Sequence, residues 1–360
     1  MSRIARTLMS LSLALGLLPT ALEGAPKPTP TPKPSCTTCP IVYTQTGSQG
    51  RADLMLMQAD GSQKTLLLAG SRNVAHNNPV WAPDGEWIAF QSNRDGQVGI
   101  WLVKRDGPGS NNINLKKAIS PCDASNFLHF GSWRPVPVAG PFWFAYRDQC
   151  GEAGSNPDIF AVKIDPARAA PAISDSFCLT CEMNEMNRDF WTQPAWTSDG
   201  LHFSARKLPG TSEEYDAELV IFDFVDGNEP SLDDPRTLNV ADLGIDARSV
   251  RDGSWAHGRD TLVVRSEDSS DIWLLDIDHE AVEMISGAEN LTAASYGDWS
   301  FFDPRWSPDD SRIIYTARSL SSWGLFVSPL PPSPFLIPAT PIAPWDSKAQ
   351  AMFPDWNPTP

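Results

Sequence analysis

The sequence predicts an all-β fold: a six-bladed β-propeller of four-stranded antiparallel blades, closed by N- and C-terminal strands in one blade. Three observations predict it. A Trp-marked strand recurs six times, further strand patterns follow each of the first five markers, and the chain ends carry complementary fragments of one blade.

The first full unit spans 78–107 and reads NPVWAPDGEWIAFQSNRDGQVGIWLVKRDG. A short segment ends in Trp81, and Pro83-Asp84-Gly85 forms a tight-turn cluster. Trp87-Ile88-Ala89-Phe90 is apolar and aromatic, as strands prefer. After a polar break at 92–97, Ile100-Trp101-Leu102-Val103 runs to Asp106-Gly107, a hairpin signal.

The marker returns in FGSWRPVPVAG (Trp133), QPAWTSDG (Trp196), DGSWAHGRD (Trp255), DPRWSPDD (Trp306) and FPDWNP (Trp356), at intervals of 50 to 63 residues. Second strands are expected at 86–91, 142–147, 201–206, 261–265 and 312–318. Third strands are expected at 99–104, 158–164, 218–224, 271–277 and 324–327, with weaker fourth strands at 114–119, 173–180 and 284–292. Four antiparallel strands per unit make a propeller blade. Trp356 opens a unit that the remaining residues cannot finish, whereas 41–46, 53–58 and 64–68 supply second, third and fourth strands with no marked first strand. Joined, the fragments complete one blade and pair edges that would otherwise be exposed.

NPVWAPDGEWIAFQSNRDG and DPRWSPDDSRIIYTARS resemble the WD-type, PxWSPDG-like repeats of the TolB-like six-bladed propellers, over roughly residues 40–358. The resemblance implies the fold. It implies less about function, because the same repeat occurs in periplasmic scaffold proteins, peptidase accessory domains and some polysaccharide lyases. Blades three and five depart from the pattern, with WRPVPVAG and WAHGRD in place of WSPDG. TolB itself carries an extra N-terminal α/β domain, for which there is no room between Ser35 and Ile41.

Residues 1–24 read as a signal peptide: Arg3 and Arg6, an apolar run at 8–18, then small residues near Gly24 and Ala25. The run is about half the length a bilayer needs. Residues 25–39 form a proline-rich linker, APKPTPTPKPS, ending in a CxxC, and 40–358 form the propeller. The expected location is secreted or periplasmic. Net charge is −16, or −17 without residues 1–24, which argues against nucleic acid and anionic membranes as partners. A monomer without membrane insertion is expected.

Six cysteines in an exported chain suggest disulfides among Cys36, Cys39, Cys122, Cys150, Cys178 and Cys181. Cys122 and Cys150 fall on one face of blade three, so they are a plausible pair. Cys178 and Cys181 end a fourth strand on that face, whereas Cys36 and Cys39 enter from the opposite one. A single four-thiolate zinc site is therefore disfavoured, and no metal or cofactor is expected.

In such a meander, first-to-second and third-to-fourth turns share one face, and here they are short. The other face carries the long loops 71–78, 120–130, 181–193, 245–253 and 293–303. Long loops on a rigid scaffold usually carry binding groups, so the binding face is expected there. It gathers the aromatics Phe127, Phe190, Trp191, Trp299 and Phe302, with His129. It also gathers Arg94, Arg147, Arg206, Arg265 and Arg318, near the ends of second strands. Aromatics with arginines favour partner interfaces, although such aromatics also cover blade-to-blade core and such arginines also pair with loop carboxylates.

No G-x-S-x-G is present, and His76, His129, His202, His257 and His279 lack a metal-ligand spacing. No catalytic residue is assigned. SEDSSD (266–271) lacks the glycine and terminal glutamate of a calcium loop, and the sequon at Asn290 also fits a fourth strand. The reading is a non-catalytic module that binds an envelope or extracellular protein, or a glycan, through the long-loop face. On that reading, truncating Trp191 or Phe302 weakens capture without unfolding. The alternative is a polysaccharide-acting, lyase-like propeller in which His76 and His129 converge on a metal.

Overall fold

Among the described residues, twenty-five strands pair into six antiparallel sheets. The computed structural model describes residues 36, 39–119, 131–135, 141–149, 156–166, 172–173, 176–183, 189–208, 218–238, 240, 245, 250–266, 271–279, 281, 284–292, 299–319, 323–330, 341–344 and 350–359. Blade 1 contains β1 (Ile41–Thr46), β2 (Ala52–Met57) and β3 (Thr65–Leu68). Blade 2 contains β4 (His76–Trp81), β5 (Trp87–Ser92), β6 (Gly99–Lys104) and β7 (Leu115–Ile119). Blade 3 contains β8 (Ser132–Trp133), β9 (Phe142–Asp148) and β10 (Asp158–Asp165), with β11 (Ala172–Ile173) and β12 (Phe177–Cys178) sharing its outer edge. Blade 4 contains β13 (Phe190–Trp196), β14 (His202–Leu208), β15 (Glu218–Val225) and β16 (Ser231–Thr237). Blade 5 contains β17 (Val250–Trp255), β18 (Thr261–Ser266), β19 (Ile272–Ile277) and β20 (Ile285–Asn290). Blade 6 contains β21 (Ser300–Trp306), β22 (Arg312–Arg318), β23 (Trp323–Pro329) and β24 (Ala343–Pro344).

The last strand, β25 (Gln350–Trp356), pairs antiparallel with β1, Ile41 opposite Trp356 and Thr46 opposite Gln350. The two chain ends thus complete blade 1, as the sequence predicts. Beyond Trp356, Asn357 is buried; its amide donates to Pro40 O at 2.9 Å and its Nδ2 to Gly85 O at 3.1 Å. Gly85 sits at φ +67°, and a Cβ there would meet Thr359 Oγ1 at 2.0 Å, so the blade 2 turn can accept this segment only as glycine.

All six marker tryptophans are buried, and each packs against the preceding blade. Trp81 joins Val42 and Leu54, Trp306 joins Val263 and Ile272, and Trp356 joins Ile314 and Leu325. Among the described residues the core is therefore six apolar clusters, one between each pair of neighbouring blades. Cys36 and Cys39, placed by the sequence in the linker, are buried in the cluster between blades 6 and 1.

The six marked strands contact one another in a closed ring, β25–β4–β8–β13–β17–β21–β25. Asn78, Gln193, Asp303 and Phe353, each just before the proline of P-x-W, have φ between 49° and 54°. The ladders slip at these points, between Asn77 and Val80 in blade 2 and between Thr192 and Ala195 in blade 4. A repeated bulge of this kind re-aims the residues that follow it.

Candidate ligand site in the central channel

The bulge makes the residue before each tryptophan a channel residue. Around the ring these positions are Val80, Ser132, Ala195, Ser254, Arg305 and Asp355, all lining one chamber of about 350 Å³. Its walls also include Pro83, Ser198, Ala256 and Pro358, from turns that follow the innermost strands. The chamber therefore lies at the short-turn end of the channel, opposite the long loops on which sequence reasoning placed the binding groups.

Four of the six ring positions are small and uncharged; Arg305 and Asp355, on adjacent strands β21 and β25, are the exceptions. Asp355 is only partly exposed, and its Oδ2 accepts the Trp81 amide at 2.7 Å across the closing seam. Burial pushes its pKa up to about 6, although the Trp81 amide, Arg305 and His257 all favour the ionised form. Arg305 donates from Nη1 to Pro304 O at 3.1 Å.

His257 also lines the chamber. It occupies the WAHGRD turn of blade 5, and Asp310 of the blade 6 turn holds it. Asp310 Oδ1 accepts the His257 amide at 2.7 Å and lies 3.3 Å from His257 Nδ1, while Oδ2 accepts the Gly258 amide at 2.7 Å. The departure of blade 5 from WSPDG thus places an oriented imidazole at the channel, which sequence reasoning noted only as an irregularity. A signal was available: aligning the six residues that precede the marker tryptophans, four of them in P-x-W, singles out Arg305 and Asp355 as the charged pair.

His76 is a core residue. It is 1% exposed, with Nδ1 2.8 Å from Ser92 Oγ and Nε2 3.2 Å from Ala69 O, and burial lowers its pKa. A convergence of His76 on a channel metal is thereby overturned; His129 and Phe127 lie outside the described residues. His202 and His279 stack at 4.1 Å, with His202 3.6 Å from both Asp199 and Asp223.

Of the residues expected on the long-loop face, Trp191 is 3% exposed and packs on Phe222 in the cluster between blades 3 and 4, so its truncation opens a cavity. Arg206 is buried as well. Arg94 lies over Trp101 at 5.1 Å and Arg265 over Phe302 at 4.2 Å, while Trp299 meets Phe326 edge-on at 5.7 Å. Burial lowers the pKa of Arg147, and Phe190 is half-buried. Arg318 is exposed. Arg147, Arg206 and Arg265 oppose Ile159, Leu219 and Ile272, the same register in three blades. The arginine repeat is thus real, but the described members bind into the blades more than they project from them.

Cys36–Cys39 and Cys178–Cys181 are disulfides, with Cα separations of 5.1 and 5.7 Å. Cys36 is held by Asp309 of the blade 6 short turn, and Cys181 Sγ lies 3.8 Å from Asp158 at the start of β10. They sit on opposite faces, each closed on itself. Asp158, Cys178 and Cys181 have the spacing of metal ligands, but both sulfurs are committed to their bond. Cys122 and Cys150 lie outside the described residues.

The chain superposes on TolB from Acinetobacter baumannii with a TM-score of 0.57 at 15% identity, covering 90% of this chain and 68% of that one. A TolB-type chain from Agrobacterium tumefaciens matches with a TM-score of 0.52 at 12% identity, covering 89% and 99%. The fold is that of the TolB propeller. The TolB-type ring also superposes on hydrazine synthase of Kuenenia stuttgartiensis, with a TM-score of 0.57 at 12% identity over 90% of this chain and 47% of that one. No protein-family model matches. An uncharacterised protein of Agrobacterium fabrum is 33% identical over 85 residues, a stretch that spans 24% of either chain.

Proposed function

We propose that the protein is an exported, non-catalytic binding module on a TolB-type propeller, and that it takes its ligand or protein partner at the short-turn mouth of the central channel. One observation carries the reading. All six innermost strands converge on a chamber with two oppositely charged side chains on an otherwise small, uncharged ring. Concave sites with apolar walls and few polar groups are the usual form of a ligand pocket, at about 300–1,000 Å³. The leader-like pattern of residues 1–24 and the two disulfides support export to an oxidising compartment.

Ser254→Trp fills the chamber, and Arg318→Glu alters the opposite face. Material bound from a native envelope or secreted extract, identified by mass spectrometry, is expected to disappear with Ser254→Trp and persist with Arg318→Glu. The reverse pattern would return the binding site to the long loops.

A further inference from the structure

The two disulfides among the described residues differ in their surroundings. Cys36 and Cys39 are 1% and 0% exposed, inside the cluster between blades 6 and 1. Cys178 is half-buried and Cys181 is exposed, on the long-loop face away from the chamber. The two residues between this second pair are anchored without help from the sulfurs. Leu179 is buried in the cluster between blades 3 and 4, and its amide donates to Ile159 O at 2.8 Å. Thr180 is 0% exposed; its hydroxyl donates to Asp158 Oδ1 at 2.8 Å and accepts the Ile159 amide at 3.0 Å. Opening the S–S bond therefore leaves both cysteines on a held segment, close enough to reclose.

The sulfurs are also unlike each other. Cys178 Sγ accepts the Cys181 amide at 3.1 Å, whereas Cys181 Sγ lies 3.8 Å from Asp158 Oδ2. An N–H donor stabilises negative charge on Cys178, and a neighbouring carboxylate opposes it on Cys181. We infer that Cys178–Cys181 is a redox-active pair that exchanges with a dithiol, with Cys181 the sulfur attacked and Cys178 the leaving group. A thiolate of the dithiol attacks the exposed Cys181 Sγ. The Cys178–Cys181 bond breaks as the mixed disulfide forms, and its electron pair stays on Cys178. The dithiol's second thiolate then attacks the dithiol's own sulfur in the mixed disulfide and expels Cys181. The dithiol leaves as a disulfide, and its two electrons and two protons end on the cysteines. Exchange is fastest where the attacked sulfur is accessible and the leaving sulfur is stabilised as a thiolate, which is the arrangement here.

The folded protein equilibrated in buffers of graded reduced-to-oxidised dithiothreitol, then alkylated and peptide-mapped, tests the assignment. Cys178–Cys181 is expected to reach half-reduction at a ratio at least about a hundredfold lower than Cys36–Cys39, because structural disulfides resist reduction. It is expected to reclose when oxidised dithiothreitol is restored, with native tryptophan fluorescence throughout. Equal midpoints for the two disulfides would overturn the inference, as would opening of Cys178–Cys181 only with loss of that fluorescence. Single variants test the roles of the two sulfurs. Cys178 in Cys181→Ser is expected to alkylate faster than Cys181 in Cys178→Ser at equal pH, although it is the less exposed. Rates that follow exposure instead would overturn the assignment of Cys178 as the leaving group.

Discussion

Two aspartates at the short-turn end show how one residue type serves opposite ends. Asp309 is pushed up by burial, but the Cys36 amide, Ser307 and Ser311 hold its pKa down at about 2. A carboxyl depressed in the folded state stabilises above its unfolded pKa of about 4, and the gain is lost as pH falls toward about 2. Asp309→Asn should therefore cost about 1 kcal/mol at pH 6, allowing for solvent screening. In urea unfolding followed across pH, the difference should vanish near pH 2. Asp355 has the reverse sign. Its folded pKa is raised to about 6, so its contribution is intact below pH 4 and is lost as pH rises through 6. By that shift, ionised Asp355 costs the fold on the order of 3 kcal/mol. Asp309 was readable as the Asp of a Pro-Asp turn. Asp355 was readable only once the six Trp-marked segments were laid over one another, because the strand pattern around it is that of any innermost strand.

The blades show the same substitution of means at the level of elements. In blade 5, Asp271 starts the third strand, Thr292 Oγ1 donates to its Oδ1 at 3.0 Å, and Asn290 Nδ2 donates to its Oδ2 at 3.0 Å. In blade 3, Asp158 and Thr180 repeat the first bond at 2.8 Å, but Cys178 stands where Asn290 stands. The disulfide to Cys181 ties the strand end that the Asn–Asp bond ties in blade 5, and Asn290 is engaged in structure rather than presented as a glycan acceptor. Closing so short a loop stabilises by about 2 kcal/mol. Replacing both cysteines by serine should cost about that much in thermal or denaturant unfolding, whereas Cys178→Asn with Cys181→Ser should recover about half through the restored bond. Strand positions were legible because alternation and turn residues are local. Two of the weak fourth strands, 114–119 and 284–292, match β7 and β20, whereas in blade 3 the edge expected at 173–180 is divided between two two-residue strands, and blade 4's β16 carries the polar stretch SLDDPRT, with no apolar run to betray it.

The whole molecule is a ring whose seam lies beside its candidate site. β25 supplies the innermost strand of blade 1, the Trp81 contact and the Asn357 anchor. Removing 350–359 should leave β1 as an open edge beside an incomplete core, and size-exclusion chromatography should show aggregates in place of a single species. Ring closure was visible in the sequence because the two ends are complementary fragments. The location of the chamber was not, since loop length marks where a scaffold tolerates variation, whereas the concave space here is made by six short strands meeting at an axis. Asp355 belongs to both features, bonded across the seam and facing the chamber. Asp355→Asn separates them, because an amide oxygen can still accept the Trp81 N–H while the charge is gone. The decisive measurement is thermal unfolding of wild type and Asp355→Asn from pH 4 to pH 8. If the carboxylate is held at the chamber at the expense of the fold, the variant matches wild type at pH 4 and melts a few degrees higher at pH 8. A variant that is less stable at pH 8 would show that the Asp355 charge serves the seam, contradicting the account of it as a charge kept at the chamber against the stability of the fold.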